Sequence, residues 1–240
     1  MSISKEWYLT MSSNLLKYER ELYKNNITLI AGVDEAGRGP LVGPVVAAAV
    51  ILPKNYVLEG LNDSKQLSEK KREAFFKVLQ EEALSIGVGI VSAKVIDEIN
   101  ILEASRKAMY IALNNLDMTP EYILSDAVSL NDIDIPSRPI IHGDALSLSI
   151  AAASVIAKVT RDHIMYELDK KYPMYNYKKN KGYPTKEHLE LIKEYGITDE
   201  YRMIYKPVKM IWEGLHLSLI HNSEPTRLAL ISYAEVSLIK

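Results

Sequence analysis

Short apolar runs alternate with helical patterns along most of this chain, and this alternation limits its fold more than any other sequence feature. Five runs predict buried strands, at residues 27–33, 45–52, 86–91, 122–124 and 139–141. Helical spacing and capping residues predict helices at residues 15–24, 68–83, 95–116 and 147–171. Strands that alternate with helices indicate an α/β layer fold.

The composition predicts a soluble globular protein. Apolar residues make up 48% and charged residues 25% of the 240 residues. The longest strongly apolar run, residues 44–53, is too short to span a bilayer. The first 25 residues carry charges throughout and lack the apolar core of a secretory signal. Because cysteine is absent, disulfides and thiolate metal sites are excluded. We therefore expect a cytoplasmic protein without membrane contact.

The C-terminal residues differ in character from the rest of the chain. Residues 217–227 look like an in-frame translation of a sequencing-library adapter. We therefore predict that residues 215–240 are a non-native tail, and we leave them out of the functional argument. The remaining chain predicts a helical N-terminal extension at residues 1–26 and one main domain at residues 27–214, which ends in a helical part.

Acidic residues stand at the ends of three predicted strands. Asp34 and Glu35 follow the first strand, Asp126 follows the fourth, and Asp144 follows the fifth. Because functional groups of α/β sheets gather where strands end, these carboxylates can converge on one spot. Each could instead be an ordinary turn acid, since Asp is common in turns. That alternative is weaker for the first pair, because acids that directly follow a buried strand must be neutralised.

Clustered carboxylates predict a site for a hard divalent cation. Several carboxylates stay ionised side by side only beside a cation, and oxygen ligands select Mg²⁺ or Mn²⁺. The absence of cysteine and of a His-Glu-x-x-His pattern argues against zinc. Two such ions about 3.5–4 Å apart can activate a water and stabilise the leaving oxygen of a phosphoryl displacement.

A segment with four glycines, residues 32–44, surrounds the first acids. Glycine permits close approach of the main chain to a phosphate or a ribose hydroxyl, and Arg38 adds a charged donor. The glycine spacing misses the dinucleotide-binding fingerprint by one residue, and no Gly-Lys-Ser/Thr ends the loop as in a P-loop. The specific pattern is Asp-Glu-x-Gly-Arg-Gly-Pro. We call residues 37–44 the glycine-rich turn.

Residues 170–186 combine six lysines and no acid with four tyrosines. Such a stretch predicts either an ordinary solvated surface or a surface that faces nucleic acid. The formal net charge of −2 does not by itself suggest a nucleic-acid binder, although a net charge can hide patches.

Together these motifs resemble those of ribonuclease HII, the type 2 ribonucleases H. The resemblance runs through residues 32–40, 61–68, 99–102, 143–144, 151–162 and 181–185. It implies an α/β fold of the ribonuclease H type, with a mixed five-stranded sheet flanked by helices and a small helical C-terminal part. Residues 27–214 would then be the catalytic domain.

The resemblance also implies an activity. Members of the family are endonucleases that hydrolyse RNA in RNA–DNA hybrids and cut 5′ of single ribonucleotides embedded in duplex DNA, by metal-dependent in-line attack of water. The products would carry 3′-hydroxyl and 5′-phosphate ends. Such an enzyme would remove ribonucleotides and RNA primers in DNA repair and replication, with Mn²⁺ or Mg²⁺ as cofactor. We expect it to be a monomer.

The family's site residues carry over by motif. Asp34, Glu35, Asp126 and Asp144 are similar to the catalytic, metal-binding carboxylates.

The substrate-reading residues carry over in the same way. Gly37, Arg38 and Gly39, the Gly-Arg-Gly segment, are similar to the loop that reads the ribose 2′-hydroxyl. Tyr183 is similar to the ring that stacks on the sugar of the neighbouring deoxynucleotide.

Several cations are candidates for phosphate contacts, which position a duplex without reading its sequence. They are Lys65, Lys158, Arg161 and Lys181, and the alternative for each is a solvated surface cation. Asp162 is expected to be a structural partner for a nearby cation. His142 stands where many relatives carry Lys, and an ordinary loop residue is expected there.

The chain departs from the family near its C-terminal part. Many relatives carry His-Arg-Arg-Ser-Phe where residues 201–205 are Tyr-Arg-Met-Ile-Tyr, so that only Arg202 and an aromatic ring at Tyr205 are kept. This departure puts in doubt whether the segment helps to bind substrate.

Three alternatives remain beside the resemblance. A junction resolvase or strand transferase of the same fold also clusters carboxylates, but the Gly-Arg-Gly and Lys-Gly-Tyr-Pro segments favour a ribonucleotide reader. Ribonuclease HIII carries a larger N-terminal binding domain, for which the roughly 25 residues before the first strand leave no room. A catalytically silent binding module would not need all four carboxylates, which are present.

Overall fold

A computed structural model of the protein describes residues 15–61 and 67–223, with side chains described through residue 215. Within these ranges one sheet contains the strands β1 (Ile30–Ala36), β2 (Val45–Ile51), β3 (Ser85–Val91), β4 (Tyr122–Asp126) and β5 (Ser137–Ile140). Their order across the sheet is β3-β2-β1-β4-β5. The β3–β2 and β2–β1 pairs are antiparallel, and the β1–β4 and β4–β5 pairs are parallel. The expected mixed five-stranded α/β sheet is therefore confirmed.

Helices flank this sheet and continue beyond it. The first four are α1 (Lys17–Tyr23), α2 (Glu69–Glu82), α3 (Ala93–Asn114) and α4 (Leu148–Lys171). The C-terminal part contains α5 (Tyr177–Asn180), α6 (Lys186–Tyr195) and α7 (Lys206–Ser223). The 3-10 turns Gly143–Ala145 and Pro173–Tyr175 lie on either side of α4. Across the described ranges, no helix has both the length and the apolar character needed to cross a membrane.

The sheet is covered on both faces, which explains why β2 is apolar and buried along its whole length. Helices α2 and α4 pack on one face, and α3 packs on the other. The main chain of α4 approaches β1 so closely that a Cβ atom on Gly32 would overlap the main chain of Ser149. The small residues in the first half of α4 allow this approach, as the sequence predicted for a buried helix face.

The first strand lies further along the chain than predicted. The apolar pattern predicted residues 27–33, whereas β1 spans Ile30–Ala36 and therefore includes Asp34 and Glu35. The extension is supported by β2, because Glu35 pairs with Ala47 and Ala36 with Val46. Small partners on β2 allow polar residues to remain in the ladder. The acids are thus held by strand hydrogen bonds and not by a loose turn.

The helix predicted at residues 95–116 is bent. Asn100 has a left-handed φ of 67°, and α3 consists of two helical segments on either side of it. Its side-chain oxygen accepts hydrogen bonds from the N–H groups of Leu102 (2.9 Å) and Glu103 (3.2 Å). Asn100 therefore caps the second segment, a role for which a short amide side chain is suited.

The lysine-rich stretch of residues 170–186 belongs partly to the core of the C-terminal part. Tyr175 and Tyr177 are buried, and their rings stack with centroids 5.3 Å apart. Lys178 and Lys179 are exposed, as is Tyr183. A surface that faces DNA would therefore consist of the lysines and Tyr183.

Helices near both ends of the described chain can be compared with the predicted domain bounds. Helix α1 supplies the helical element expected within residues 1–26, and residues 1–14 lie outside the described ranges. Helix α7 continues past residue 215 without a break. The non-native origin of residues 215–240 stays a prediction, and residues 224–240 lie outside the described ranges.

Candidate active site

Three of the predicted acids lie together at one edge of the sheet. Asp34 is in β1, Asp126 is the last residue of the neighbouring parallel strand β4, and Asp144 is in the 3-10 turn that follows β5. Each offers one carboxylate oxygen, and these oxygens lie within 4.8 Å of one another. We call these three residues the acid group. Parallel pairing of β1 with β4 explains part of the convergence, because Val33 pairs with Ser125 and the two acids follow.

Gly143 connects two members of the acid group. Its N–H donates a hydrogen bond to Asp126 Oδ1 (2.8 Å), and Asp144 is the next residue. A Cβ atom at Gly143 would lie 2.6 Å from Ile150 Cδ1 and 3.4 Å from Asp126 Oδ1. A side chain at residue 143 would therefore require Ile150 to move, whereas its contact with Asp126 would be an ordinary one.

The acid group carries a strong electrostatic cost. Burial and the carboxylates of Glu35 and Asp126 raise the pKa of Asp34 well above its usual value. Hydrogen bonds from the Ser154 side chain and the Glu35 N–H oppose this rise, the latter over 2.7 Å to Asp34 Oδ1. Sequence reasoning missed Ser154. The only local signal for it is a hydroxyl residue among the small and apolar residues of the first half of α4.

The donor set fits a divalent cation with a preference for oxygen. The acid group offers three carboxylate oxygens at short mutual distance, and Asp34 and Asp144 are each only 4% exposed. A cation among them would offset the repulsion that raises the pKa of Asp34. Carboxylate oxygens are ligands for Mg²⁺ and Mn²⁺, so the residues present are compatible with the ions expected from the sequence.

Glu35 lies beside the acid group and not within it. Its carboxylate is not among the three that group within 4.8 Å, although its charge raises the pKa of Asp34. Glu35 Oε1 accepts a hydrogen bond from Arg38 Nη1 over 3.2 Å, and the Glu35 side chain is only 7% exposed. This ion pair joins the end of β1, next to Asp34, to the Gly-Arg-Gly segment. A metal-binding role for Glu35 stays a prediction.

A cleft of about 410 Å³ contains two members of the acid group, Glu35 and the Gly-Arg-Gly segment. It is lined by Asp34, Glu35, Ala36, Gly37, Arg38, Gly39, Asp126, Ser154, Lys158, Arg161 and Tyr183. At its opening, a Cβ atom on Gly39 would lie 3.5 Å from Cε1 of the exposed Tyr183 ring. The residues predicted to read the sugar therefore lie side by side.

Arg161 is a structural residue, and its prediction as a phosphate contact is wrong. It is 1% exposed and donates to three main-chain carbonyls at 3.1 Å, those of Val42, Pro44 and Lys181. Its guanidinium also occupies the space where a Cβ on Gly37 would be, and Gly37 has a φ of +98°. Arg161 thus fixes the glycine-rich turn against the segment that carries Tyr183.

Arg202 holds the same turn through other carbonyl groups. It is fully buried, and its Nε and Nη2 donate to the Gly43 carbonyl over 3.0 and 2.8 Å. Its Nη1 donates to the Arg38 carbonyl over 3.1 Å, and the Tyr205 hydroxyl donates to that same carbonyl. Residues 201–205 therefore support the Gly-Arg-Gly segment despite their departure from the family pattern.

Asp97 anchors this support to α3. Its carboxylate oxygens accept hydrogen bonds from the N–H groups of Met203 (2.9 Å) and Ile204 (3.0 Å). Sequence reasoning missed both Asp97 and the clamping role of Arg202, because their partners are main-chain atoms more than 100 residues away along the chain.

The predicted lysines divide into different environments. Lys158 lines the cleft and donates to Asp162 over 2.5 Å, so that Asp162 is the cation partner expected from the sequence. Lys181 does not line the cleft. Its ammonium donates to the Lys178 carbonyl (2.7 Å) and lies 3.8 Å from the centroid of the Tyr166 ring. Lys65 lies outside the described residues.

The expectation for His142 agrees with its position. It is an exposed residue with a left-handed φ of 56° directly before the 3-10 turn of Asp144.

Comparisons with known proteins agree with this geometry. The family model for ribonuclease HII matches residues 31–213. A curated ribonuclease HII from Acetivibrio thermocellus is 56% identical over 188 residues, which cover 78% of this chain and 73% of the relative.

Solved structures give the same result for the fold. The crystal structure of ribonuclease H2 from Pyrococcus horikoshii superposes with a TM-score of 0.66 at 30% identity, covering 78% of this chain and 98% of that chain. The structure of Bst-RNase HIII in complex with Mn²⁺ superposes with a TM-score of 0.61, covering 79% of this chain and 71% of that chain. At 16% identity, the second similarity shows the fold alone.

Proposed function

The chain belongs to the ribonuclease HII family and is an endoribonuclease of the ribonuclease H type, and from this premise we propose that it cuts 5′ of single ribonucleotides in duplex DNA as well as within RNA–DNA hybrids. The reaction would use Mn²⁺ or Mg²⁺ and leave 3′-hydroxyl and 5′-phosphate ends. Its role would be the removal of ribonucleotides and RNA primers from DNA, as a monomer in the cytoplasm.

One observation carries this proposal: two members of the acid group and the Gly-Arg-Gly segment line the same cleft, with Tyr183 beside Gly39. The 2′-hydroxyl is the group that distinguishes a ribonucleotide from its deoxy counterpart, apart from the uracil methyl. A protein that selects ribonucleotides must therefore contact the sugar. The glycine main chain can approach a sugar closely, and the adjacent phosphodiester would then lie near the acids.

The role of the acid group is to hold and orient the metal ion. Asp34, Asp126 and Asp144 would bind the cation through their carboxylate oxygens, and a bound divalent ion would supply a lowered pKa for an attacking water and a counter-charge for the phosphate. The Glu35 N–H orients Asp34, and the Gly143 N–H orients Asp126. Carboxylates that are fixed before substrate binds need no reorganisation during the reaction.

The role of the cleft opening is to select and position the substrate. Arg38, whose side chain is 48% exposed, can donate to a sugar or a phosphate while paired with Glu35. The Tyr183 ring is 43% exposed and can stack on the neighbouring deoxyribose. Lys158, which lines the cleft and pairs with Asp162, would donate to a backbone phosphate.

The test uses two labelled duplexes that differ by one 2′-hydroxyl. With Mn²⁺ or Mg²⁺, we expect the strand with one ribonucleotide to be cut and the all-deoxy strand to remain intact. EDTA should stop the reaction. Cutting of both duplexes would contradict ribonucleotide selection and would favour a general nuclease. Binding without cutting of either duplex, or of an RNA–DNA hybrid, would indicate a silent binding module.

A further inference from the structure

Helix α1 contributes one buried carboxylate to the neighbourhood of the active site. Glu19 is 2% exposed, although α1 lies outside residues 31–213, the part matched by the family model. Its Oε1 accepts three hydrogen bonds: from Ser147 Oγ (2.6 Å), Ser149 N (3.0 Å) and Ser149 Oγ (2.6 Å). Both serines lie at the start of α4, 128 and 130 residues further along the chain.

Ser147 links this carboxylate to the turn that carries Asp144. It is the N-cap of α4, because its Oγ accepts from Ile150 N (3.3 Å). Its own N–H donates to the carbonyl of Gly143 over 2.8 Å. Gly143 in turn donates its N–H to Asp126. A continuous path of hydrogen bonds therefore runs from Glu19 to the main chain that places Asp144 and to the carboxylate of Asp126.

Ser149 links the same carboxylate to β1. The Ser149 main chain lies where a Cβ atom on Gly32 would be, and Asp34 is two residues further along β1 on the same face. Ser154 lies on the same helix, about one and a half turns after Ser149, and its side chain hydrogen-bonds to Asp34. The position of the first turns of α4 therefore affects Asp34 as well.

The chemistry of Glu19 suits this role. Its Oε1 accepts from two hydroxyls and one main-chain N–H at the N-terminal end of a long helix, where a negative charge is favoured. Among the described residues, Oε2 is buried and accepts no hydrogen bond. A buried carboxylate with one unsatisfied oxygen costs stability, so its use at this position points to a requirement for a fixed helix start.

We propose that Glu19 is a positioning residue for the metal ligands: by holding Ser147 and Ser149 it fixes the start of α4, and through it Asp144, Asp126 and Asp34. This inference rests on the proposed metal site. It assigns to the N-terminal helix a part in metal affinity and none in substrate contact.

The experiment compares Glu19→Ala and Glu19→Gln with Glu21→Ala in the full chain. Glu21 is the matched control, because it lies on the same helix and its side chain is exposed. Its carboxylate forms a surface ion pair with Arg138 over 3.4 Å. Isothermal titration calorimetry with Mn²⁺ alone gives the dissociation constant, thermal unfolding gives Tm, and cleavage of an RNA–DNA hybrid gives kcat and KM.

Glu19→Ala should weaken Mn²⁺ binding about 10-fold or more, as loss of a residue that orients metal ligands does. The kcat at low Mn²⁺ should fall, the KM for the hybrid should stay unchanged, and high Mn²⁺ should restore part of the rate. Glu19→Gln should lie between Ala and wild type, because its amide oxygen still accepts. Glu21→Ala should match wild type.

A lower Tm with an unchanged Mn²⁺ dissociation constant would overturn the proposal and leave Glu19 a purely structural residue. If Glu19→Ala does not fold, the Tm and the Mn²⁺ dissociation constant of Glu19→Gln are compared with those of wild type by the same criterion. Failure of the wild type to bind Mn²⁺ would instead contradict the proposed metal site, and the inference with it.

Discussion

The two halves of the cleft are built in different ways. Two members of the acid group lie on regular, adjacent strands, and their directions follow from the pairing of β1 with β4. The Gly-Arg-Gly segment lies in an irregular turn held by the buried guanidinium groups of Arg161 and Arg202, which donate to main-chain carbonyls. The first half depends on sheet geometry, and the second depends on side chains distant in sequence.

This difference implies that the two halves can fail separately. Damage to the acid group should change metal binding and catalysis for every substrate. Damage to the arginine clamps should change how ribonucleotides are selected while the metal affinity remains. The Glu35–Arg38 ion pair links β1, next to Asp34, to the Gly-Arg-Gly segment, and water screens it on the side of Arg38, whose side chain is 48% exposed.

The largest effect is expected from Asp34→Asn. Removal of a metal ligand should lower kcat on every substrate by more than the roughly 100-fold that loss of an orienting partner can cause. The fold and duplex binding should persist, because the amide is uncharged in a buried position. Cleavage assays and duplex binding in EDTA measure the two parts. Near-normal turnover would show that Asp34 is not a metal ligand. It would contradict the claim that damage to the acid group affects every substrate.

Arg202→Met tests the other half. The substitution leaves the Gly43 and Arg38 carbonyls without their charged donor, so the free energy of unfolding should fall by about 3 kcal/mol. Cleavage at a single ribonucleotide should fall more than cleavage of a continuous hybrid, while Mn²⁺ affinity stays near wild type. Denaturant unfolding and paired cleavage assays provide the measurements.

The matched control for Arg202 is Arg106→Met. Arg106 pairs with Glu103 over 2.5 Å on the surface of α3, where its side chain is 31% exposed. Such a pair is worth roughly 0–1 kcal/mol. If both arginine variants lost equal stability, or if Arg202→Met lost Mn²⁺ affinity, the clamp would not be specific to the glycine-rich turn.

Tyr183→Ala should have a smaller and more selective effect. Loss of a stacking ring should reduce cleavage at a single embedded ribonucleotide about 10-fold, consistent with roughly 1–3 kcal/mol for aromatic stacking. Binding to plain duplex should change less, because phosphate contacts dominate it. Equal losses in both assays would argue against a role of this ring at the junction.

The smallest effect concerns pH in the absence of metal. The raised pKa of Asp34 favours the protonated carboxyl in the folded state. Its contribution to stability is therefore fully present below pH 3.8 and is lost as pH rises through the raised folded pKa. In EDTA, wild type should lose stability across this window, whereas Asp34→Asn should lose less. Tm values across pH measure this, and identical profiles would contradict a strained acid group.

The acid group could be predicted from the sequence because its signal is local. Each acid stands within a few residues of an apolar strand pattern, and Asp34 and Glu35 also stand next to the glycines. The bounds of β1 were less predictable, since they depend on pairing with the alanines of β2. The convergence of Asp126 and Asp144 also required the sheet order, which no single segment contains.

The clamps could not be predicted for a physical reason. Arg161 and Arg202 resemble surface cations in sequence, and arginine is rarely buried unless it is paired. Their partners are carbonyl groups, which every residue has, at separations of 117 to 164 residues for the glycine-rich turn. The position of the Lys181 ammonium over the Tyr166 ring was equally invisible in the sequence, and its role as a phosphate contact stays a prediction.

The most direct test of the central claim is to map the cut in one labelled duplex that contains a single ribonucleotide. The account predicts one metal-dependent cut on the 5′ side of the ribonucleotide, with a 3′-hydroxyl and a 5′-phosphate as the new ends. A cut on the 3′ side, or cuts at deoxynucleotides elsewhere in the strand, would contradict a cleft that combines a metal-dependent acid group with a reader of the 2′-hydroxyl.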